Sequence, residues 1–137
     1  MHRDLKPDNI LFREEESDDC VIADFGLGEF ESEKQYLFNR CGTPGYVAPE
    51  VANLKNSNER YTIACDMFSV GVIFHMMALR RAPFEGRSYN QVLIKNRNCQ
   101  IDFSEPQYKR LPESWLDLMK RLLSRDPKTR ITAAEAL

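Results

Sequence analysis

The residues with the clearest chemical potential are Asp4, Lys6 and Asn9, set within the run His2-Arg3-Asp4-Leu5-Lys6-Pro7-Asp8-Asn9 near the start of a 137-residue chain. An acid, an amine and an amide at this spacing suit phosphoryl transfer to a hydroxyl. The transition state of that reaction is loose and asks for positioning and charge stabilisation more than for a covalent partner. Two tripeptides follow in order, Asp24-Phe25-Gly26 and Ala48-Pro49-Glu50. Taken alone, an Asp-Asn pair is ordinary turn chemistry, since both side chains bond nearby backbone. Gly42-Thr43-Pro44-Gly45 is likewise a turn-forming run when read by itself. The ordered set of motifs carries more than any of them alone.

That set resembles the eukaryotic serine/threonine protein kinase family. The resemblance implies that Asp4 accepts or orients the proton of the attacking hydroxyl and that Lys6 neutralises charge on the transferred phosphoryl group. It implies ATP and Mg2+ as cofactors, with Asn9 and Asp24 as ligands to a hard cation that prefers oxygen. Lys6, Asn9, Leu11 and Asp24 become the cofactor contacts, Leu11 lying as an apolar floor beneath the adenine. Thr43 and Gly45 fall in the substrate-contacting loop, where Thr43 matches the residue that bonds the catalytic acid and lysine. Lys6 and Thr43 both favour serine/threonine over tyrosine specificity.

The same resemblance assigns supporting roles. His2 is expected to pack on Phe25 rather than act as a metal ligand or base, Asp66 to tie down the catalytic-loop backbone, and Arg130 to form a buried ion pair with Glu50. The stretch Asp66 to Ile73 is most similar to the calcium/calmodulin-dependent kinase group, which points to a calmodulin-type regulator acting from outside this segment. Met76 stands where basophilic relatives of another group often carry glutamate. Asn39 stands where many kinases carry a phosphorylatable threonine, which leaves Arg3 without its usual partner. Ser32, Tyr36 or no group at all are the alternatives.

The elements that must position these residues follow from pattern. Ile10-Leu11-Phe12 and Val21-Ile22-Ala23 flank a polar stretch and predict a small hairpin, whose tip carries Glu14, Glu15, Glu16, Asp18 and Asp19. Those carboxylates lack the calcium-loop spacing and its glycine, so a solvated tip is expected. Asp66 to Leu79 is apolar on nearly every face, the mark of a helix buried all round. Trp115, Leu118, Met119, Leu122 and Leu123 recur at helical spacing, predicting an amphipathic helix from near Pro112 with Trp115 in the core. Thr132 with Glu135 forms a capping box opening a last helix.

The resemblance therefore implies an α+β, kinase-like fold, with a mostly helical C-terminal lobe and a small β-hairpin. Residues 1–137 are expected to be a partial kinase domain, from the catalytic loop to the start of the last large-lobe helix. The N-terminal lobe, with its glycine-rich loop, strand lysine and partner glutamate, is absent from this stretch. A chain without that lobe is expected to be inactive by itself. If it were the complete product, a catalytically inert, kinase-derived binding module would be the alternative.

Composition agrees and adds exclusions. With 42% hydrophobic and 29% charged residues and a net charge of −2, nothing favours nucleic acid or an anionic membrane as partner. Cys20, Cys41, Cys65 and Cys99 form no C-x-x-C pair, so neither a zinc site nor a disulfide framework is expected, and a reducing cytoplasmic or nuclear setting is. There is no signal peptide, and the apolar run from Met67 to Leu79 is too short to span a bilayer. Protein or peptide substrates and ATP are the expected partners.

Overall fold

In the computed structural model, which describes residues 1–56 and 59–137, the chain is organised around one long helix. Two short strands come first, β1 (Ile10–Phe12) and β2 (Cys20–Ile22). Five helices follow: α1 (Pro49–Ala52), α2 (Ala64–Leu79), α3 (Tyr89–Asn98), α4 (Glu113–Leu122) and α5 (Ala133–Ala136). The architecture is mostly helical, with one two-stranded antiparallel sheet.

Helix α2 begins two residues before the predicted start and buries Phe68, Gly71, Val72 and His75. Its apolar surround matches the pattern except at Met77, which is 73% exposed. A Cβ on Gly71 would lie 2.9 Å from the Leu122 Cβ, so only glycine lets α4 approach α2 this closely. The helix ends at Arg80, whose left-handed backbone (φ 55°) returns its N–H to the Met76 carbonyl at 2.8 Å.

The face of α4 turned to the core is built from Met119 and Leu122, continued by Leu123. Trp115 is not a core residue: it is 46% exposed, and its ring lies 5.4 Å from that of Phe74. It sits in the first turn of α4, at the rim of the α2–α4 contact, where an indole covers a neighbour with one face and leaves the remainder in solvent.

In the hairpin, Ile10 pairs with Ile22, Leu11 with Val21 and Phe12 with Cys20. The second strand thus runs one residue earlier than the apolar pattern suggests, because Phe12 takes Cys20 as partner. Ala23 still donates its N–H to the Asn9 carbonyl at 2.9 Å. The acidic tip is exposed throughout. At the other end of the chain the capping box at Thr132 is complete, with both reciprocal bonds to Glu135 present.

One apolar cluster joins these parts. Val47, Ala48, Val51 and Ala52, around α1, meet Cys65, Phe68 and Val72 of α2, with Met119 and Leu123 closing the far side. His75 lies wholly within the interior. The Arg81 carbonyl, 3.0 Å away, can only accept, so Nδ1 carries the proton and Nε2 accepts from the Tyr108 hydroxyl at 3.0 Å. Among the described residues, no helix is long and apolar enough to cross a membrane.

Candidate active site

The loop carrying Asp4 is fastened from below by one buried carboxylate. Asp66, in the first turn of α2, accepts the His2 N–H at 2.7 Å and the Arg3 N–H at 2.8 Å. Charged acceptors make roughly twice the bond of neutral ones. Here they offset a strained backbone, since Arg3 has φ of 73° without being glycine. The His2 ring accepts the Asp4 N–H at Nδ1 (3.3 Å) and donates from Nε2 to the Ala23 carbonyl (2.9 Å). Its edge meets Phe25, with ring centroids 4.9 Å apart. The ring thus spans from the catalytic loop to the Asp-Phe-Gly segment.

Above this base, Asp4, Lys6 and Thr43 form a closed triangle. The Thr43 hydroxyl donates to Asp4 Oδ1 at 2.6 Å and accepts from Lys6 Nζ at 3.1 Å, while Lys6 Nζ reaches Asp4 Oδ2 at 2.9 Å. A hydroxyl can donate to the acid and accept from the amine through a single atom. The hydrogen bond to Asp4 raises the Lys6 pKa above its ordinary value, against partial desolvation, so the ammonium stays charged at neutral pH.

Asn9 is buried, and its Nδ2 is committed to the Asp4 carbonyl at 2.8 Å, which leaves Oδ1 as the donor atom it can offer a cation. Asp24 has a left-handed backbone (φ 62°) and accepts the Gly26 N–H at 3.2 Å. An amide oxygen and a carboxylate on adjoining segments suit a hard cation such as magnesium. Leu11 lies in β1 and is 50% exposed, with Phe12 at 65% and Phe25, beyond the hairpin, at 65%; Leu11 points to one side of the sheet and Phe12 to the other, so both sides of the hairpin carry uncovered apolar side chains.

The loop bearing Thr43 is secured from two helices. Gly42 is needed there twice over: its φ is 106°, and a Cβ would stand 2.9 Å from the Arg3 carbonyl. The wholly buried Asn96 of α3 accepts the Gly45 N–H at 3.0 Å and donates to the Val47 carbonyl at 2.9 Å. Ser69 of α2 donates to the Tyr46 carbonyl at 2.9 Å. Neither Asn96 nor Ser69 stands out in the sequence, since α3 is polar along most of its length and α2 reads as apolar. Farther back, Arg130 holds Glu50 through two bonds of 2.6 and 2.9 Å, donates to the Ala64 carbonyl at 2.7 Å, and has a fully buried side chain.

Arg3 completes the frame. Its guanidinium donates to the carbonyls of Leu27 and Phe38 and to the Tyr61 hydroxyl, with the Glu29 carboxylate 3.9 Å away. The structure therefore brings His2, Asp4, Lys6, Asn9 and Thr43 into one bonded network, with Asp66 beneath it. Glu50 and Arg130 stand apart as a separate brace.

Comparison with known proteins gives the family. Residues 1–137 match the family described as protein kinase domain. The chain is 38% identical to calcium/calmodulin-dependent protein kinase type I of Schizosaccharomyces pombe over 140 aligned positions, covering 100% of this chain and 41% of that one. It is 38% identical to a probable myosin light chain kinase of Dictyostelium discoideum over 136 positions, covering 99% of this chain and 42% of that one. It is also 36% identical to a CDPK-related protein kinase of Daucus carota, of which it covers 22%. The chain thus spans less than half the length of these relatives. Along its whole length, from the loop of Asp4 to the capping box of Thr132, it belongs to the protein kinase family.

Proposed function

We propose that these residues supply the phosphoryl-transfer half of an ATP-dependent serine/threonine protein kinase, acting within a longer kinase domain. The observation that carries the proposal is the Asp4–Lys6–Thr43 triangle. In it, Asp4 holds a carboxylate oxygen where a substrate hydroxyl can replace Thr43 as donor. Lys6 stands beside that oxygen as a fixed positive charge for the transferred group. Asn9 and Asp24 would hold magnesium, whose charge neutralises nucleotide phosphates when bound. Leu11 would lie under the adenine, and the loop from Thr43 to Val47, clamped by Asn96 and Ser69, would present the peptide.

The substrates on this reading are serine or threonine residues of proteins. The similarity to a calcium/calmodulin-dependent kinase supports a calmodulin-type regulator. Four free cysteines fit a reducing compartment, cytoplasm or nucleus. The uncovered side chains of Leu11, Phe12, Ile22 and Phe25 bear on the alternative, a kinase-derived module that binds a partner there without turnover. The two readings part in one experiment: this chain is fused behind the small lobe of the S. pombe relative and incubated with γ-labelled ATP, magnesium and a mixed protein substrate. The kinase reading predicts label on serine and threonine. A folded fusion that transfers none, or labels tyrosine, contradicts it.

A further inference from the structure

Between Leu27 and Phe38 the chain leaves the Asp-Phe-Gly segment and crosses the surface, and its large side chains are mostly in solvent: Phe30 is 78% exposed, Leu37 81% and Phe38 50%. Tyr36 is the exception. It is 3% exposed, and its hydroxyl donates to the Tyr61 carbonyl at 3.1 Å. Two cations lie over its ring, the Arg60 guanidinium carbon 4.2 Å from the centroid and that of Arg3 5.1 Å from it. Guanidinium groups suit this arrangement because they are planar and weakly hydrated, so they can stack on a ring while their N–H groups bond elsewhere.

Both arginines also grip the segment's backbone. Arg60 donates to the carbonyls of Lys34 and Glu31, and Arg3 to those of Leu27 and Phe38. These contacts to main chain hold the segment while Phe30, Leu37 and Phe38 stay largely in solvent. A phosphate arriving at Arg3 would have to displace the Leu27, Phe38 and Tyr61 acceptors and approach the Glu29 carboxylate, which repels it. Asn39 offers no hydroxyl to carry one.

We propose that Arg3 and Arg60 form a two-guanidinium clamp on Tyr36 that holds the 27–38 segment in place without phosphorylation. Arg60 is a positioning residue in this account, acting on the segment and touching no reacting atom. The consequence for regulation, that the segment needs no loop phosphate to be ordered, rests on the kinase reading above. The clamp itself does not.

The test is limited proteolysis of the phosphatase-treated 137-residue chain with a lysine-specific protease. It follows cleavage after Lys34, whose carbonyl Arg60 holds, against cleavage after Lys128 as a monitor of the fold. Arg60→Ala and Tyr36→Leu should each speed cleavage at Lys34 by at least about tenfold, since cleavage of a held segment follows its opening equilibrium. Tyr36→Phe, which keeps the ring, should stay within about threefold of the unsubstituted chain. Arg60 is exposed, so its removal leaves the core intact even if Tyr36→Leu disturbs folding and accelerates both sites. The proposal is overturned if Arg60→Ala is cut at Lys34 at the unsubstituted rate, or if Tyr36→Phe is cut as fast as Tyr36→Leu. The readout involves no nucleotide and no transfer, so its failure is distinct from a failure of the kinase reading.

Discussion

The loop of Asp4 and the hairpin beside it are proposed to serve the same site and are held by different physics. The loop is fixed from the interior, with two backbone N–H groups on the buried Asp66 and a guanidinium donating to three separate partners. The hairpin has three residues in each strand and leaves Leu11, Phe12 and Ile22 at least half exposed. A two-stranded ladder of this length is marginal without a packed face. The chain thus fixes the loop of Asp4 from the interior side and leaves the proposed nucleotide floor to be covered by whatever binds there.

Substitutions can break or sharpen this contrast. Asp66→Ala should have the largest effect. It strands two buried N–H groups whose bonds to a charged acceptor are worth about 1.5–3 kcal/mol each, so urea denaturation should show a loss of roughly 3–6 kcal/mol. Glu50→Ala should follow, at about 3–5 kcal/mol, because Arg130 would remain buried without its counter-charge. Asn96→Leu keeps the branched shape of the side chain and removes two bonds, for a loss of about 2 kcal/mol by the same assay. In an active fusion it should raise the peptide KM more than it lowers kcat.

A smaller effect depends on pH. Burial pushes the His75 pKa below its ordinary value, against the opposing bond from the Arg81 carbonyl. The folded state therefore binds this proton less readily than the unfolded chain. The stability it contributes is complete above the unfolded pKa, about 6.5, and is lost as pH falls below that toward the folded value. Between pH 7.5 and 5.5 the melting temperature should fall further for the unsubstituted protein than for His75→Gln. Smallest of all, Phe12→Ser on the hairpin should change stability by no more than about 0.5 kcal/mol. A loss there as large as that of Asn96→Leu would erase the contrast between the two regions.

Motif order and periodicity carried the family, the helix around Phe68 and Val72, the hairpin and the capping box at Thr132. These are local or repeating patterns, and the chain states them directly. Spacing alone puts Trp115 in the core and the structure puts it at the rim, because spacing gives the angle around a helix and not how far the neighbouring helix extends along it. Asn96 and Arg60 were invisible for another reason. Their partners lie 49 to 51 and 26 to 29 residues away, and nothing near either residue in the chain marks a polar side chain as one that will bond distant backbone.

The central claim is that Asp4, held by Lys6 and Thr43, acts on the substrate hydroxyl. The most direct test is kcat at saturating ATP and peptide for the small-lobe fusion with and without Asp4→Asn, with ATP affinity measured on both. The account predicts that kcat falls by at least about a hundredfold, the usual scale for a positioned proton acceptor, while ATP affinity stays within about twofold. An unchanged kcat, or a loss matched by lost ATP binding, would contradict it.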